Sequence, residues 1–308
     1  MNTRKGYSSL AGVTRWFEGF RYDPRFTAPL LITGILLAGH LSYGILESYA
    51  AVPVAIGTAV VAEMALSRIF RGEWPHLASA YISGISVGIL VRTPFLWPFV
   101  LCSLLTIMSK YVLRYRGRHL WNPSNFGICA LFFLAPFAVA PLSIQWGNNV
   151  WPMLVIWMLG SVTLYRLKRF HICAAYVAAF LVFSFVRTQF TGASFVTEIA
   201  PITGPMYQLF VFFMITDPKT TVSSKRGEMV VAVAIAFVEM LLRLGESVYA
   251  PFYALFLVGP AALLVEMWWT ERSAEAAPAS EDPPSQEQPA PEGDAVPRST
   301  RIRQHANQ

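Results

Sequence analysis

Hydrophobic positions along the chain fall into long blocks, separated by short polar or cationic stretches, and show no sustained two-residue alternation. Blocks lie at about 28–46, 51–67, 77–91, 94–113 and 126–145, then at about 150–166, 170–186, 202–216, 229–245 and 248–269. Each approaches the roughly 20 residues that a membrane-crossing helix needs, the third being short. The pattern predicts an all-α membrane protein of about ten transmembrane helices in a domain over 27–270, with halves at about 27–145 and 150–270. Ahead of it, residues 1–26 place Trp16, Phe17 and Phe20 among Arg15, Arg21 and Arg25, as suits a cytoplasmic amphipathic segment lying in the interface. These first residues have no apolar core before a cleavage site, so no secretory signal is expected. From Ser273 the composition turns to Ala, Pro, Glu, Ser and Gln. Such a stretch buries too little surface to offset its ordering entropy, and 271–308 is expected to be a disordered cytoplasmic tail.

The cations test the helix count, because cytoplasmic loops are enriched in Lys and Arg. Counting ten helices from the inside, Arg68, Arg71, Lys110, Arg114, Arg116, Arg118, Arg166, Lys168, Arg169, Lys219, Lys225 and Arg226 all fall on the inner side. Only Arg92, Arg187 and Arg243 of the 24 Lys and Arg fall outside. Both termini are therefore expected in the cytoplasm. A 55% hydrophobic content and a mean hydropathy of +0.46 argue against a soluble domain. The net charge of +6 sits in the inner loops, so it reads as membrane orientation, with the lipid bilayer as partner and no nucleic acid. Cys102, Cys129 and Cys173 are scattered through apolar blocks, and the five His show no ligand spacing, so neither a disulfide framework nor a metal site is expected. No P-loop, GxGxxG or Ser/His/Asp arrangement occurs in the context its chemistry needs, and no catalytic residue is assigned.

Two interruptions stand out. Lys110–Gly127, KYVLRYRGRHLWNPSNFG, passes from a burst of cations into Asn122-Pro123 before hydrophobicity resumes. Met214–Thr221, MITDPKTT, breaks another apolar run at Asp217-Pro218. Proline removes a backbone donor, and the freed carbonyls need protein, water or a ligand. Broken segments in corresponding positions of two halves point to a binding site in transporter-like folds. A half-helix starting near Pro123, capped by Asn122 or Ser124, would turn its amides toward an anionic group such as a phosphate or a flavin edge. A plain tight turn is the other reading. Asp217 either binds a cation or caps the turn after it.

Acids inside apolar blocks are functional candidates by default. Glu239 has Arg243 at i+4 and Glu266 lies near a helix end, so pairing or snorkelling accounts for both. Glu63, about two turns from the inner surface, is left as the lone candidate for an ion path.

Taken together, HLWNPSNFG at 119–127, TGAS at 191–194 and FMITDPKTT at 213–221 resemble the RnfD/NqrB family of integral electron-transport subunits, from the Rnf complex and the Na+-translocating NADH:quinone reductase. The wording NPSNFG with ITDPKTT is most similar to the UnbU-like branch associated with enediyne biosynthesis genes. The resemblance covers about 25–270. It implies two inverted five-helix repeats similar to urea transporters, in a bacterial cytoplasmic membrane. Also implied is a flavin carrier: FMN esterified to a hydroxyl of an SGAT-like motif on the outer face, or riboflavin among the helices. Transferred to this chain, Ser194 would hold the FMN beside Thr191, Gly192 and Ala193, while Asn122, Ser124, Asn125, Asp217, Lys219 and Thr220 would line an inner site. Two positions depart from the family pattern: Ser194 stands where Thr is usual, and Thr188 where an acid often precedes the motif. The resemblance implies electron transfer between other membrane or flavoprotein subunits; the alternative is a channel or transporter for a small solute or natural product.

Overall fold

The structure, a computed structural model, describes residues 48–141 and 150–276, with scattered positions between 30 and 41. The expected interfacial segment 1–26, most of the first apolar block and the tail beyond 276 lie outside the described residues. The compact unit ends at Trp268.

That unit is mostly helical. In its first part come α1 (Ala51–Arg71), α2 (Ala78–Leu90), α3 (Trp97–Val112) and α4 (Pro123–Leu134). The second part holds α5 (Val150–Leu167), α6 (Phe170–Thr191), the short α7 (Phe195–Ile199), α8 (Pro205–Leu209) running into a π turn over Phe210–Met214, α9 (Lys225–Leu244) and α10 (Ala250–Ala276). Four two-residue strands join the ends: β1 (Val91–Arg92) pairs antiparallel with β4 (Ala140–Pro141), and β2 (Arg114–Tyr115) pairs antiparallel with β3 (Arg118–His119).

Among the described residues three helices, α1, α6 and α10, are long and apolar enough to cross a membrane. The described helices are uneven in length. At 13 and 12 residues, α2 and α4 reach only about 20 and 18 Å. The block expected over 126–145 stops being helical at Leu134, where the chain turns to meet β1. Over 202–216 it divides into a 3-10 turn, α8 and the π turn, because Pro201 and Pro205 each remove a helical donor. Many apolar side chains on the outer helix faces are exposed, among them Phe133, Val162, Val182 and Phe185, compatible with lipid contact.

Two helix pairs run parallel. Between α1 and α3, Ser103 Oγ donates to the Ala55 carbonyl at 3.0 Å and Glu63 meets Lys110 one layer further along. Between α6 and α9, His171 meets Glu228 at the starts and Phe183 meets Phe237 towards the ends. Running antiparallel to α10, α4 stacks Phe126 on Phe256, Phe133 on Tyr253 and Phe132 on Tyr249. Such offset aromatic pairs add to simple burial, by about 0.5–1.5 kcal/mol each. On its other face α4 lies against α3 at Gly127, where a Cβ would overlap Thr106 and the Cys102 carbonyl.

Candidate functional site

The two proline breaks, far apart in sequence, form one structure. Asn122 caps α4: Pro123 sits in the first turn, where a missing N–H is harmless, and Asn122 Oδ1 accepts the Asn125 amide at 3.1 Å. The other side-chain atom of Asn122 crosses to the second break, Nδ2 donating to Asp217 Oδ2 at 3.1 Å. Asp217 arrives there through the π turn, a winding often found at functional positions. Its Oδ1 accepts the Lys219 amide at 3.1 Å, its Oδ2 also accepts the Thr220 hydroxyl at 3.1 Å, and its carbonyl accepts the Thr221 hydroxyl.

At the first break a helix starts at Pro123 with Asn122, not Ser124, as its cap, and at the second Asp217 caps its own turn. Of the α4 amides expected to face an anion, Pro123 has none and Asn125 is engaged by Asn122, which leaves Ser124 N–H for an outside acceptor. Ser124 is half-buried and the Lys219 side chain is exposed.

Around this bridge the packing is tight and polar. Pro260 inside α10 cannot donate to the Phe256 carbonyl four residues earlier, and Trp121 Nε1 supplies the missing donor at 2.9 Å. Asn125 Nδ2 donates to the Phe252 carbonyl at 3.1 Å, while its buried Oδ1 has no partner among the described residues. Arg118 reaches the Thr221 carbonyl at 2.9 Å and Glu266 at 3.4 Å, and Glu266 also accepts the Ser223 amide at 2.6 Å. Between these groups lies half-buried His119, its Nδ1 buried without a partner. Burial, then the cations Arg114, Lys219 and Lys110, hold its imidazole below its ordinary range, with Asp217 opposing them.

Glu63 is not alone, which corrects the ion-path expectation on that point. Lys110 Nζ lies 3.4 Å from its Oε2, and Tyr111 donates to its Oε1 at 2.7 Å; both members of the ion pair are nearly buried. Lys110 also lies 3.3 Å from Ser79 Oγ on α2. A carboxylate taken out of water needs such compensation, and a cation one helix away provides it. Glu239 is likewise enclosed: Arg243 Nε lies 2.9 Å away at i+4, and the Tyr176 and Tyr207 hydroxyls both donate to it.

The TGAS motif closes α6 at the other end. Gly192, at φ 68°, takes the left-handed conformation that ends the helix, where glycine alone avoids Cβ strain. Ser194 follows as the cap of α7, exposed, with its Oγ 3.3 Å from the Thr197 amide and 2.9 Å from the Thr197 hydroxyl. Thr191 donates to Glu198 Oε1 at 2.8 Å, and Glu198 pairs with Arg187 at 3.0 Å. The exposed hydroxyl fits a tethering role, since a phosphate on it could keep the Thr197 amide as a donor. An acid does stand beside the motif, supplied by Glu198 from the α7 side and not by position 188.

Compared with known proteins, the chain matches no family model and no curated relative. Among the described residues no group of three or more His, Cys, Asp or Glu is placed to hold a metal ion.

Sequence reasoning brought Asn122, Asp217, Lys219 and Thr220 to the same site but missed Arg118 and Trp121 around it, Lys110 and Tyr111 on Glu63, and Glu198 beside the TGAS turn. Only Lys110 left a usable signal, a cation still inside an apolar run and at the depth of Glu63.

Proposed function

We propose that the chain is a membrane-embedded electron-transport subunit of RnfD/NqrB type that carries flavin and passes electrons between partner subunits. The observation that carries this reading is the TGAS turn: an exposed Ser194 hydroxyl presented between the Gly192 bend and the start of α7, with Glu198 beside it. Bound flavin would supply the redox chemistry. The chain would hold it by Ser194 at one end of α6, with Thr191, Gly192 and Ala193 shaping the turn. At the other end Asn122, Ser124, Asn125, Asp217, Lys219 and Thr220 would border a second, inner position. The parallel pairs α1/α3 and α6/α9, one in each half, support the reading of two repeats. The bridges Arg118–Thr221 and Asn122–Asp217 bring two of the cationic stretches to one end of the bundle, which supports a cytoplasmic face in a bacterial inner membrane.

The test is intact-mass spectrometry of the full chain coexpressed with a flavin transferase, beside Ser194→Ala. A mass increase matching an FMN ester, absent in the variant, is expected. Purified protein with neither covalent nor bound flavin absorbance overturns the proposal.

One feature favours a second reading. Short helices α2 and α4 and the Pro-broken α8 are the discontinuous elements from which transporters build midplane sites. Solute flux in proteoliposomes without any redox partner is the outcome that selects a channel or transporter.

A further inference from the structure

At the junction of α5, α6 and α9 a cleft of about 480 Å³ is lined by Tyr165, Arg166, Lys168, Phe170, His171 and Lys225. It is separate from both sites described above. The turn between α5 and α6 that forms one wall is a Schellman motif: Lys168 N–H bonds the Tyr165 carbonyl at 3.3 Å, Arg169 N–H bonds the Leu164 carbonyl at 3.1 Å, and Lys168 has φ 55°. Glu228, behind the cleft, is already paired with Arg169 at 2.9 Å and lies 2.5 Å from His171 Nε2. Arg166, Lys168 and Lys225 are exposed and make no ion pair among the described residues. Three cations therefore converge without a carboxylate to balance them. Tyr165 and Phe170 are also exposed, at the ends of apolar helices, where aromatic side chains mark the level of lipid headgroups.

We propose that this cleft binds the phosphate of an anionic phospholipid headgroup, with Arg166, Lys168 and Lys225 as its ligands and Tyr165 and Phe170 against the glycerol and upper acyl region. Cationic pockets between helices at a membrane surface have the chemistry for this. The inference rests on the membrane reading alone and is independent of flavin.

The test is native mass spectrometry of the detergent-purified full chain with phosphatidylglycerol against phosphatidylcholine, repeated with excess inorganic phosphate. Retention of phosphatidylglycerol but not phosphatidylcholine is expected. Binding should weaken by about fivefold for each cation removed, in Lys168→Gly and in the Arg166→Gln/Lys225→Gln pair. Lys168→Gly is the decisive variant, because glycine is favoured at that left-handed position and the turn should fold at least as well. Its melting temperature should not fall. Arg226→Gln, exposed but outside the cleft, should bind as wild type does. Equal retention of the two lipids overturns the proposal. So does an Arg226→Gln loss as large as that of Lys168→Gly, which would mean diffuse surface attraction. Displacement of the lipid by inorganic phosphate would assign the cleft to a free anion and overturn it as well. None of these outcomes alters the flavin content of the protein, so this inference and the redox reading fail separately.

Discussion

The proline-break end of the bundle and the TGAS turn are both candidate sites, yet they are built in opposite ways. At the proline-break end, side chains from distant segments satisfy one another: Glu63 with Lys110, Asn122 with Asp217, Trp121 with the Phe256 carbonyl. At the TGAS turn most partners lie within a few residues of each other, and the Ser194 hydroxyl stays exposed. Polar groups withdrawn from water become structural, because leaving any one unpaired is expensive. A group that keeps its water can be modified at little structural cost. The residues around the proline breaks are therefore bound up with the fold, while Ser194 keeps its hydroxyl open to solvent.

The largest effect that would test this contrast is Lys110→Met. It strands a buried Glu63 carboxylate, and we predict a loss of about 3–5 kcal/mol in denaturant unfolding. Adding Glu63→Gln should recover most of it, since the pair is removed together; a single variant as stable as wild type would break the contrast at its strongest point.

Asp217→Ala removes the acceptor for Asn122 Nδ2, the Lys219 amide and the Thr220 hydroxyl. We predict about 2–3 kcal/mol for it. Asn122→Ala should cost about 1–2 kcal/mol as a lost helix cap and bridge. In the double variant the two losses should fall short of additive, because they share one bond. Strict additivity would mean that the bridge is not formed in solution.

A smaller effect concerns His119. Its pKa is depressed in the folded protein, so the unfolded chain takes up the proton first as pH falls. The stability it contributes is present above its ordinary value of 6.5 and is lost as pH drops below it. Thermal melts at pH 7.5 and 5.5 should differ more for wild type than for His119→Gln. An equal pH difference in both proteins removes His119 as the titrating group.

Smallest of all for stability is Ser194→Ala. It removes the cap of a five-residue exposed helix, and we predict about 1 kcal/mol or less locally with no change in the global melt. Any mass increase from FMN should nevertheless disappear. A global destabilisation comparable to that of Asp217→Ala would place Ser194 among the structural groups and end the contrast.

Much of this organisation was legible in the chain, because the signals are local. Apolar blocks mark helices through the low cost of burying them or placing them in lipid. Asn-Pro and Asp-Pro mark breaks through the missing amide hydrogen, and Glu239 with Arg243 follows from helical spacing alone. The same blocks overstated the spans: hydrophobicity says that a segment avoids water, not that it stays helical. The fourth helix stops at Leu134 and the segment before Asp217 divides into short turns.

By itself the sequence determined an apolar helical protein with cations gathered in alternate loops, two proline interruptions and a small-residue turn at 191–194. Only the tertiary structure decided that the interruptions meet, that Glu63 has a cation on the next helix, that Trp121 serves the carbonyl Pro260 leaves open, and that Lys168 and Lys225 share one cleft. Those contacts join residues 47 to 135 positions apart. Their energy depends on which polar atoms remain unsatisfied after packing, a quantity that does not exist until the helices are in place.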